Sequence, residues 1–410
     1  MPGFPDGCRV FSGCRDWKKG PDMPVHSTVF AQLLKPVDRR AFKQIVERHG
    51  GDAYDKSFKS WDHLVALIYA QLAGVSSLRA LVPAFNADAR AHYHLGTRRL
   101  ARTTLSDANA RRPVAVFADL FAMLSGALDR HTRREGADMI RLIDSTPIPL
   151  SKFLDYARSN GRTHGLKMHV VHDPRANRPL RAEVTPANVN DIEIGKKTDI
   201  EPGAAYVFDK GYCDYRWWTE IAAQGAFFVT RPKANARFRA IAARPLDPES
   251  ARGDGFAVIA DEEVALASKG DSKLPMPLRR ITVERDEAKG RIVLIVNDMR
   301  RPAAEIAALY KGRWAIELLF RWIKQHLNIK SFIGEAENAV RLQLFAAMIA
   351  FTLLRIAACV HKIDMAALRF AELVGRFLFD RRPIALIDKP PIRPKPGRDF
   401  SSLQLQLAAL

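Results

Sequence analysis

A chain of 410 residues is long enough for two or three domains, each able to bury its own core, so a small scaffold stapled by disulfides is excluded. Hydrophobic residues at 47% and charged residues at 27% exclude a wholly disordered or collagen-like chain. Sixty-four Lys and Arg against 45 Asp and Glu leave a net charge of +19, which favours a polyanionic partner such as nucleic acid or an anionic surface over a neutral metabolite.

Residues 1–22 are rich in Gly, Pro and Cys and lack an apolar run, so they read as an unstructured extension and not as a signal peptide. Met23 opens a more protein-like stretch and is the expected natural start. The four cysteines, at positions 8, 14, 213 and 359, include no Cys-x-x-Cys pair and no Cys–His cluster at zinc spacing. A cytoplasmic, nucleoid-associated protein is therefore expected.

From Met23 to about residue 135 the apolar residues recur at spacings of three and four, as in Val29, Leu33, Leu34 and in Leu64, Leu67, Ile68, Leu72, which predicts an all-helical module. Within it, Thr103, Thr104 and Ser106 open a helix that leads to Arg111 and Arg112. Those residues leave two readings open, a capped surface helix or a helix that reads a DNA groove.

At Met139 the texture changes. Residues 139–144 alternate as a strand, 165–173 are expected to pair with 180–184 across a turn, and 204–209 read as a short buried strand ending in an acid. Runs at 226–230, 256–260, 278–283 and 291–296 predict a β-rich stretch over 225–300. One long helix is expected over 302–329 and another over 337–361. The apolar run 344–360 in the latter is interrupted by Arg355 and reads as a buried core helix, not a membrane span. A C-terminal helix and a basic, Pro-rich tail complete the chain, the tail after Arg381 being expected as an extended arm or as disorder.

Asp144 and Asp209 each end a predicted strand, where either alone reads as readily as a turn or cap residue. In the helix after Pro302, Tyr310, Arg313, Glu317 and Lys324 are spaced three, four and seven apart. At ~100° per residue they fall on one stripe about 60° wide. A phenol, a guanidinium, a carboxylate and an ammonium thus share one helix face, although Arg313 four before Glu317 also fits a plain salt-bridged face. Three carboxylates brought together from two strands and a helix would make a hard oxygen site suited to two Mg²⁺ or Mn²⁺ ions. Arg313 and Lys324 would then anchor flanking phosphates. Arg231, Lys233, Arg237, Arg239 and Arg244 follow one another with no intervening acid, and contact with the DNA backbone is the preferred reading over a solvated face because Phe227, Phe228 and Phe238 interleave and could stack or pack. Trp217 and Trp218 are expected in the core, His164 and His169 as structural histidines, and Cys213 as a packing residue.

At these residues the sequence resembles the DDE transposases of bacterial insertion sequences, in the group named for insertion sequence four. The resemblance rests on Asp144 in LIDSTPI, on Asp209 in FDKGYCDY, and on Tyr310-x2-Arg313-x3-Glu317-x6-Lys324 in YKGRWAIELLFRWIK. It extends to Asn297-Asp298, to His164, Lys167 and His169, and to residues 329–334, and covers about 23–361. It implies an α/β fold with an RNase H-like catalytic core in two parts, 136–224 and 301–362, interrupted by the β-rich insertion 225–300. A helical domain over 23–135 would bind element ends, which favours Arg111 and Arg112 as DNA contacts, while residues 1–22 and the tail beyond about Pro383, part of the C-terminal helix and basic Pro-rich tail over 363–410, lie outside the resemblance. The resemblance further implies metal-dependent cleavage and strand transfer by a cut-and-paste route, with Asp144, Asp209 and Glu317 as metal ligands. The expected partners are the terminal inverted repeats, target DNA and a second protomer in the synaptic complex, with no membrane. Two rival readings are a catalytically silent DNA-binding descendant and an RNase H-like nuclease without strand transfer. The three intact acids argue against the first.

Overall fold

Short helix-start signals organise the N-terminal part of the chain. In a computed structural model, which describes residues 27–134, 139–246, 251–267, 274–285, 290–326 and 332–390, seven helices come first. They are α1 (Val29–Leu34), α2 (Arg39–Arg48), α3 (Ser60–Leu72), α4 (Leu78–Ala87), α5 (His92–Leu95), α6 (Arg102–Arg111) and α7 (Val114–Arg134). The hydroxyl of Thr28 accepts the Ala31 N–H, the Asp38 carboxylate accepts those of Arg40 and Ala41, and the Ser77 hydroxyl accepts that of Ala80. Helix α6 departs from the expectation. It begins at Arg102 with Ala101 at the cap position and no side-chain cap, so Thr103 and Thr104 lie inside its first turn.

The remaining helices are α8 (Asp191–Gly195), α9 (Tyr215–Ala223), α10 (Ala303–Gly312), α11 (Trp314–His326), α12 (Glu337–Val360) and α13 (Ala367–Arg376). Among the described residues, α12 alone is long and apolar enough to cross a membrane, and most of it is buried inside the protein. It packs against α3, α6 and α7 and also against the sheet. The N-terminal helices therefore do not close a core of their own. Their apolar faces and one face of the sheet share a single hydrophobic cluster with α12 at its centre. The chain after α13 returns to α1, where Val29 N–H donates to the Asp380 carbonyl at 3.0 Å and Phe30 N–H to that of Leu378 at 2.8 Å. Ile384 and Ile387 are buried there. This corrects the extended arm predicted after Arg381 as far as residue 390. Residues 1–26 and 391–410 lie outside the described residues, and with them the expectations for the extension and the end of the tail.

The strands are β1 (Ile140–Pro149), β2 (Arg158–Ser159), β3 (His164–Asp173), β4 (Arg178–Pro186), β5 (Ala205–Phe208), β6 (Phe227–Thr230), β7 (Phe238–Ala243), β8 (Arg252–Gly253), β9 (Phe256–Leu266), β10 (Leu278–Arg285) and β11 (Arg291–Val296). They form one sheet in the order β4-β3-β1-β5-β6-β11-β10-β9-β7, with β2 also on β3 and β8 on β9. Strands β1, β3 and β4 are antiparallel neighbours, while β1, β5 and β6 run parallel. Beyond β6 every pairing is antiparallel. The predicted β-rich insertion thus begins with a strand of the central sheet, and the rest prolongs that sheet rather than forming a separate module. Gly165, at φ 153°, sits where a side chain would run into the Ile148 carbonyl, which lets β3 lie close to β1.

The period-two alternation divides the sheet into two faces. Leu142, Val170, Val207, Val229 and Val296 join the cluster containing residues of α10, α11 and α12, whereas Ile143, Val171, Tyr206, Phe208, Phe228 and Ile295 join Trp217 and Trp218 of α9. The two tryptophans are core residues, as expected. So is Phe228, which takes the packing alternative and not the stacking one, while the ring of Phe227 lies under the Arg301 guanidinium.

Two buried imidazoles make the fold sensitive to acid. His63 Nε2–H donates to Asn109 Oδ1 at 2.8 Å, and His172 lies between the charges of Arg355 and Arg178. Burial first, and the neighbouring guanidinium groups second, hold both down to about 3 from the ordinary 6.5. Between those values the unfolded chain takes up protons that the folded chain does not, so stability falls as pH drops below about 6.5. From pH 7 to pH 5 each histidine costs about 2 kcal/mol. The melting temperature is expected to drop by several degrees over that interval and to drop less in His172→Gln. A melting temperature that stays flat from pH 7 to pH 5 would contradict the burial of these two rings.

Candidate active site

The parallel ladder between β1 and β5 runs from Ile140 opposite Ala205 to Ile143 opposite Phe208. One step further the register brings Asp144 beside Asp209. Both follow residues of the second face, Ile143 and Phe208, so by alternation both carboxylates belong to the face that carries α11. Asp209 ends β5, as the sequence predicts, and its carboxylate accepts the Gly211 N–H at 2.7 Å across a short 3-10 turn, Lys210–Tyr212. Asp144 does not end its strand. β1 continues to Pro149, paired beyond this point only with β3.

The long helix predicted over 302–329 is divided at Arg313, which joins α10 to α11. Gly312 precedes the junction, and Arg313 N–H bonds to the Tyr310 carbonyl at 3.1 Å, a tighter three-residue turn. From there the Arg313 guanidinium reaches two of the three acids, Asp144 at 3.1 Å and Glu317 at 2.6 Å. Its Cζ lies 5.8 Å from the centre of the Tyr310 ring.

The electrostatics show how crowded with negative charge the site is. Burial pushes the Asp144 carboxyl up to about 7, and the charges of Asp209 and Glu317 add to that rise, while the Ser145 N–H and Arg313 work against it. Burial also raises the Tyr310 phenol, with Asp209 contributing and Arg313 and Arg231 opposing. Burial works against the charge of Arg313, but Tyr310, Asp144 and Glu317 outweigh it and its pKa rises.

Among the described residues no three acids, histidines or cysteines stand close enough to enclose a metal ion. The reason is local, since the Arg313 guanidinium lies between Asp144 and Glu317 where the sequence predicts open convergence of carboxylates. The donor set nevertheless suits a hard divalent cation. Asp144 and Glu317 flank one fixed positive charge while the charge of Asp209 is also felt at Asp144, and the uncompensated remainder adds to the upward push on Asp144.

The other predicted residues are dispersed. Lys324 is half-buried on α11, two turns beyond Glu317 and so about 10 Å further along the axis. Arg231 and Lys233 leave the end of β6 exposed beside the Asp209 turn, where Lys233 donates to the Cys213 carbonyl at 3.0 Å and the Cys213 thiol donates to that of Arg231 at 3.1 Å. Arg237 and Arg239 lie at edge strand β7, four strand positions from β6 and therefore about 19 Å across the sheet. The basic run is thus split into a part near the acids and a part remote from them. Arg244 pairs with Glu263 and with the Met299 carbonyl instead of facing outward.

Arg111 is exposed at the end of α6, but Arg112 is buried and is a correction to the sequence reading. Its guanidinium donates to the carbonyls of Gly51, Lys59 and Phe58 at 3.1, 3.1 and 2.9 Å and to the Asp55 carboxylate. Its donors are thus turned inward, away from any phosphate. His169 bonds to Thr185 at 2.9 Å, which fits its expected structural role. Sequence reasoning missed Asp191, whose Oδ1 accepts from Ser145 at 2.7 Å and from Lys167 at 3.0 Å. An acid at a helix start reads as an ordinary first-turn residue, and only its long-range partners mark it.

Comparison with known proteins agrees with this picture. A family profile described as "Transposase DDE domain" matches residues 135–353, and one described as a domain of unknown function matches 25–98. "Putative transposase y4zB" of Sinorhizobium fredii is 62% identical over 287 residues, 70% of this chain and 80% of that protein. "Probable transposase for insertion sequence element IS5377" of Geobacillus stearothermophilus is 30% identical over 294 residues, 70% of this chain and 76% of that one. "Putative transposase for insertion sequence element IS4SA" of Synechocystis is 24% identical over 258 residues, covering 62% and 71%.

Proposed function

Because the chain belongs to the DDE transposases of bacterial insertion sequences, we propose that Asp144, Asp209 and Glu317 are its catalytic acids and that it moves its element by a cut-and-paste route. As a member of that family it is a DNA-acting nuclease and strand transferase, and the family uses divalent metal ions. The observation that carries the assignment is the register of β1 and β5, which sets Asp144 beside Asp209, together with the Arg313 bridge from Asp144 to Glu317. The order β4-β3-β1-β5-β6, antiparallel on one side of β1 and parallel on the other, supports an RNase H-like core, with β7 to β11 as the insertion.

Two Mg²⁺ or Mn²⁺ ions held by the three acids would supply the charge that activates an attacking hydroxyl and stabilises the leaving oxygen at phosphorus. The protein's own groups do the positioning. Arg313 neutralises part of the acid cluster before DNA arrives, and a phosphate beside it offers the guanidinium another pair of acceptors. Tyr310, packed near Arg313 and Arg231, shields that contact from water, while Lys324 holds a phosphate further along the strand. Arg231 and Lys233 extend the path at the end of β6, and Arg237 and Arg239 meet DNA only at the opposite sheet edge. A second protomer would hold the other element end. Incubating the protein and Mg²⁺ with a plasmid carrying both element ends should release the linear element and join it to target DNA. Nicking without joining would favour the nuclease reading instead.

For end binding, the exposed residues Arg98, Arg99 and Arg102 replace Arg112 as partners of Arg111. All four lie on α6 or the segment leading into it, and α6 itself spans about 13 Å from Arg102 to Arg111. Changing Arg98, Arg99 and Arg102 together to Ala is expected to weaken binding of terminal-repeat DNA and to lower the slope of log affinity against log salt by about 2 to 3, with melting unchanged. An unaltered salt slope would remove these residues from the interface.

A further inference from the structure

The acids stand on one face of the sheet, and Asp191 works on the other. Ser145 follows Asp144 in β1, so its side chain projects to the opposite face, where its hydroxyl donates to Asp191 Oδ1 at 2.7 Å. The same oxygen accepts Lys167 Nζ of β3 at 3.0 Å, and His169 Nδ1 lies 3.7 Å from it. Lys167 is fixed by a second bond, to the Val189 carbonyl at 2.8 Å. The other carboxylate oxygen faces the turn after Asp209. A side-chain carbon on Gly211 would lie 2.8 Å from Asp209 Oδ1 and 3.6 Å from Asp191 Oδ2, so the two carboxylates flank one glycine. Asp191 therefore touches, or lies against, the residues next to both strand-borne acids. Ser145 N–H in turn donates to Asp144 Oδ1 at 2.8 Å, which ties the orientation of the catalytic carboxylate to the residue that Asp191 holds.

We propose that Asp191 is a positioning residue of the active site, an anion paired with Lys167 that locks Ser145 and the Asp209 turn from behind so that Asp144 and Asp209 present their carboxylates to the same ion. The inference rests on the assignment of Asp144, Asp209 and Glu317 as metal ligands. Asp191 is not itself a ligand in this scheme, because its Oδ1 is occupied by Ser145 and Lys167. The effect of its loss should be on how well the acids gather a cation, not on the chemistry once the cation is gathered.

The test uses the full chain with Mn²⁺ alone as probe, read by electron paramagnetic resonance, alongside nicking of element-end DNA over a range of Mn²⁺ concentrations. Asp191→Asn keeps the size and an acceptor for Ser145 but loses the charge that answers Lys167. It is expected to weaken Mn²⁺ binding about 10-fold or more and to raise the Mn²⁺ needed for half-maximal nicking by the same factor, with nicking largely recovered at saturating Mn²⁺. Asp191→Asn combined with Lys167→Met removes the stranded ammonium, so it should melt close to the native protein yet keep the weakened Mn²⁺ response. An unchanged Mn²⁺ response in both variants overturns the proposal, as does loss of nicking at every Mn²⁺ concentration with native Mn²⁺ affinity. Asp144→Ala separates the role of Asp191 from the ligand assignment beneath it. If Asp144→Ala binds Mn²⁺ as the native protein does, the ligand assignment itself falls and the role of Asp191 falls with it. If it loses Mn²⁺ while the Asp191 variants do not, only the role of Asp191 is wrong.

Discussion

Asp144→Ala, Asp209→Ala and Glu317→Ala are each expected to abolish cleavage of element-end DNA, a loss of about 1,000-fold or more, while leaving the fold and end binding in place. On the proposed assignment the three carboxylates share one load. Deleting any of them leaves too little negative charge to hold the cations that polarise the phosphodiester, so the effect is close to all-or-none and not a graded weakening. Stability should not suffer, because the acids repel one another. Burial together with Asp209 and Glu317 raises Asp144, so its removal relieves a cost even though the Arg313 contact is lost. Nor should DNA affinity drop, since a chain of net charge +19 gains positive charge with each substitution. Mg²⁺-dependent nicking measured on a labelled terminal repeat decides the matter. Near-native nicking by one variant would take that acid out of the site.

How much of this arrangement could be read from the sequence depended on the range of the interactions involved. The strand 291–296 matches β11, and 165–173 differs from β3 by one residue, because period-two alternation against a packed sheet face is a local pattern. The helical stripe was equally local, and the structure brings Arg313 and Glu317 together as their spacing of four requires. The extension of β1 past Asp144 was hidden by Pro147 and Pro149, which usually terminate strands. They are tolerated because that part of β1 pairs only with β3 and needs no donor on its other side. The break at Arg313 turned on a single glycine inside an otherwise helical pattern. The helical module looked like a separate domain because the helix that completes its core, α12, begins more than 200 residues after α7 starts. Asp191 shows the same limit at the active site, with partners 46 and 24 positions away in the chain.

Arg112→Ala is expected to be far more destabilising than alanine at Arg98, Arg99, Arg102 or Arg111. The side chain is 1% exposed, and from the end of α6 it satisfies several groups of the segment 51–59 at once. Without it the carbonyls of Gly51 and Phe58 lose the Arg112 donor, that of Lys59 keeps only the His63 N–H, the carboxylate of Asp55 loses its guanidinium partner, and Asp52, 3.7 Å away, loses a counter-charge. Each of the two buried carbonyls left without a donor costs about 1 to 3 kcal/mol, and with the partner lost to the part-buried Asp55 carboxylate the total comes to about 3 to 5 kcal/mol. Spread over a cooperative unit of about 150 to 250 residues, that corresponds to a fall in melting temperature of roughly 10 °C. Arg112→Lys should recover little, because one ammonium cannot reach the acceptors that the planar guanidinium serves. The neighbouring Arg111→Ala should behave in the opposite way, with melting unchanged within about 0.5 kcal/mol and weaker, less salt-sensitive end binding. Thermal melts and salt titrations on the two alanine variants therefore separate a folding arginine from a DNA-contacting one at adjacent positions. A native-like melt for Arg112→Ala would mean that its guanidinium is free to leave the pocket, and α6 would again be a helix presenting both arginines to DNA.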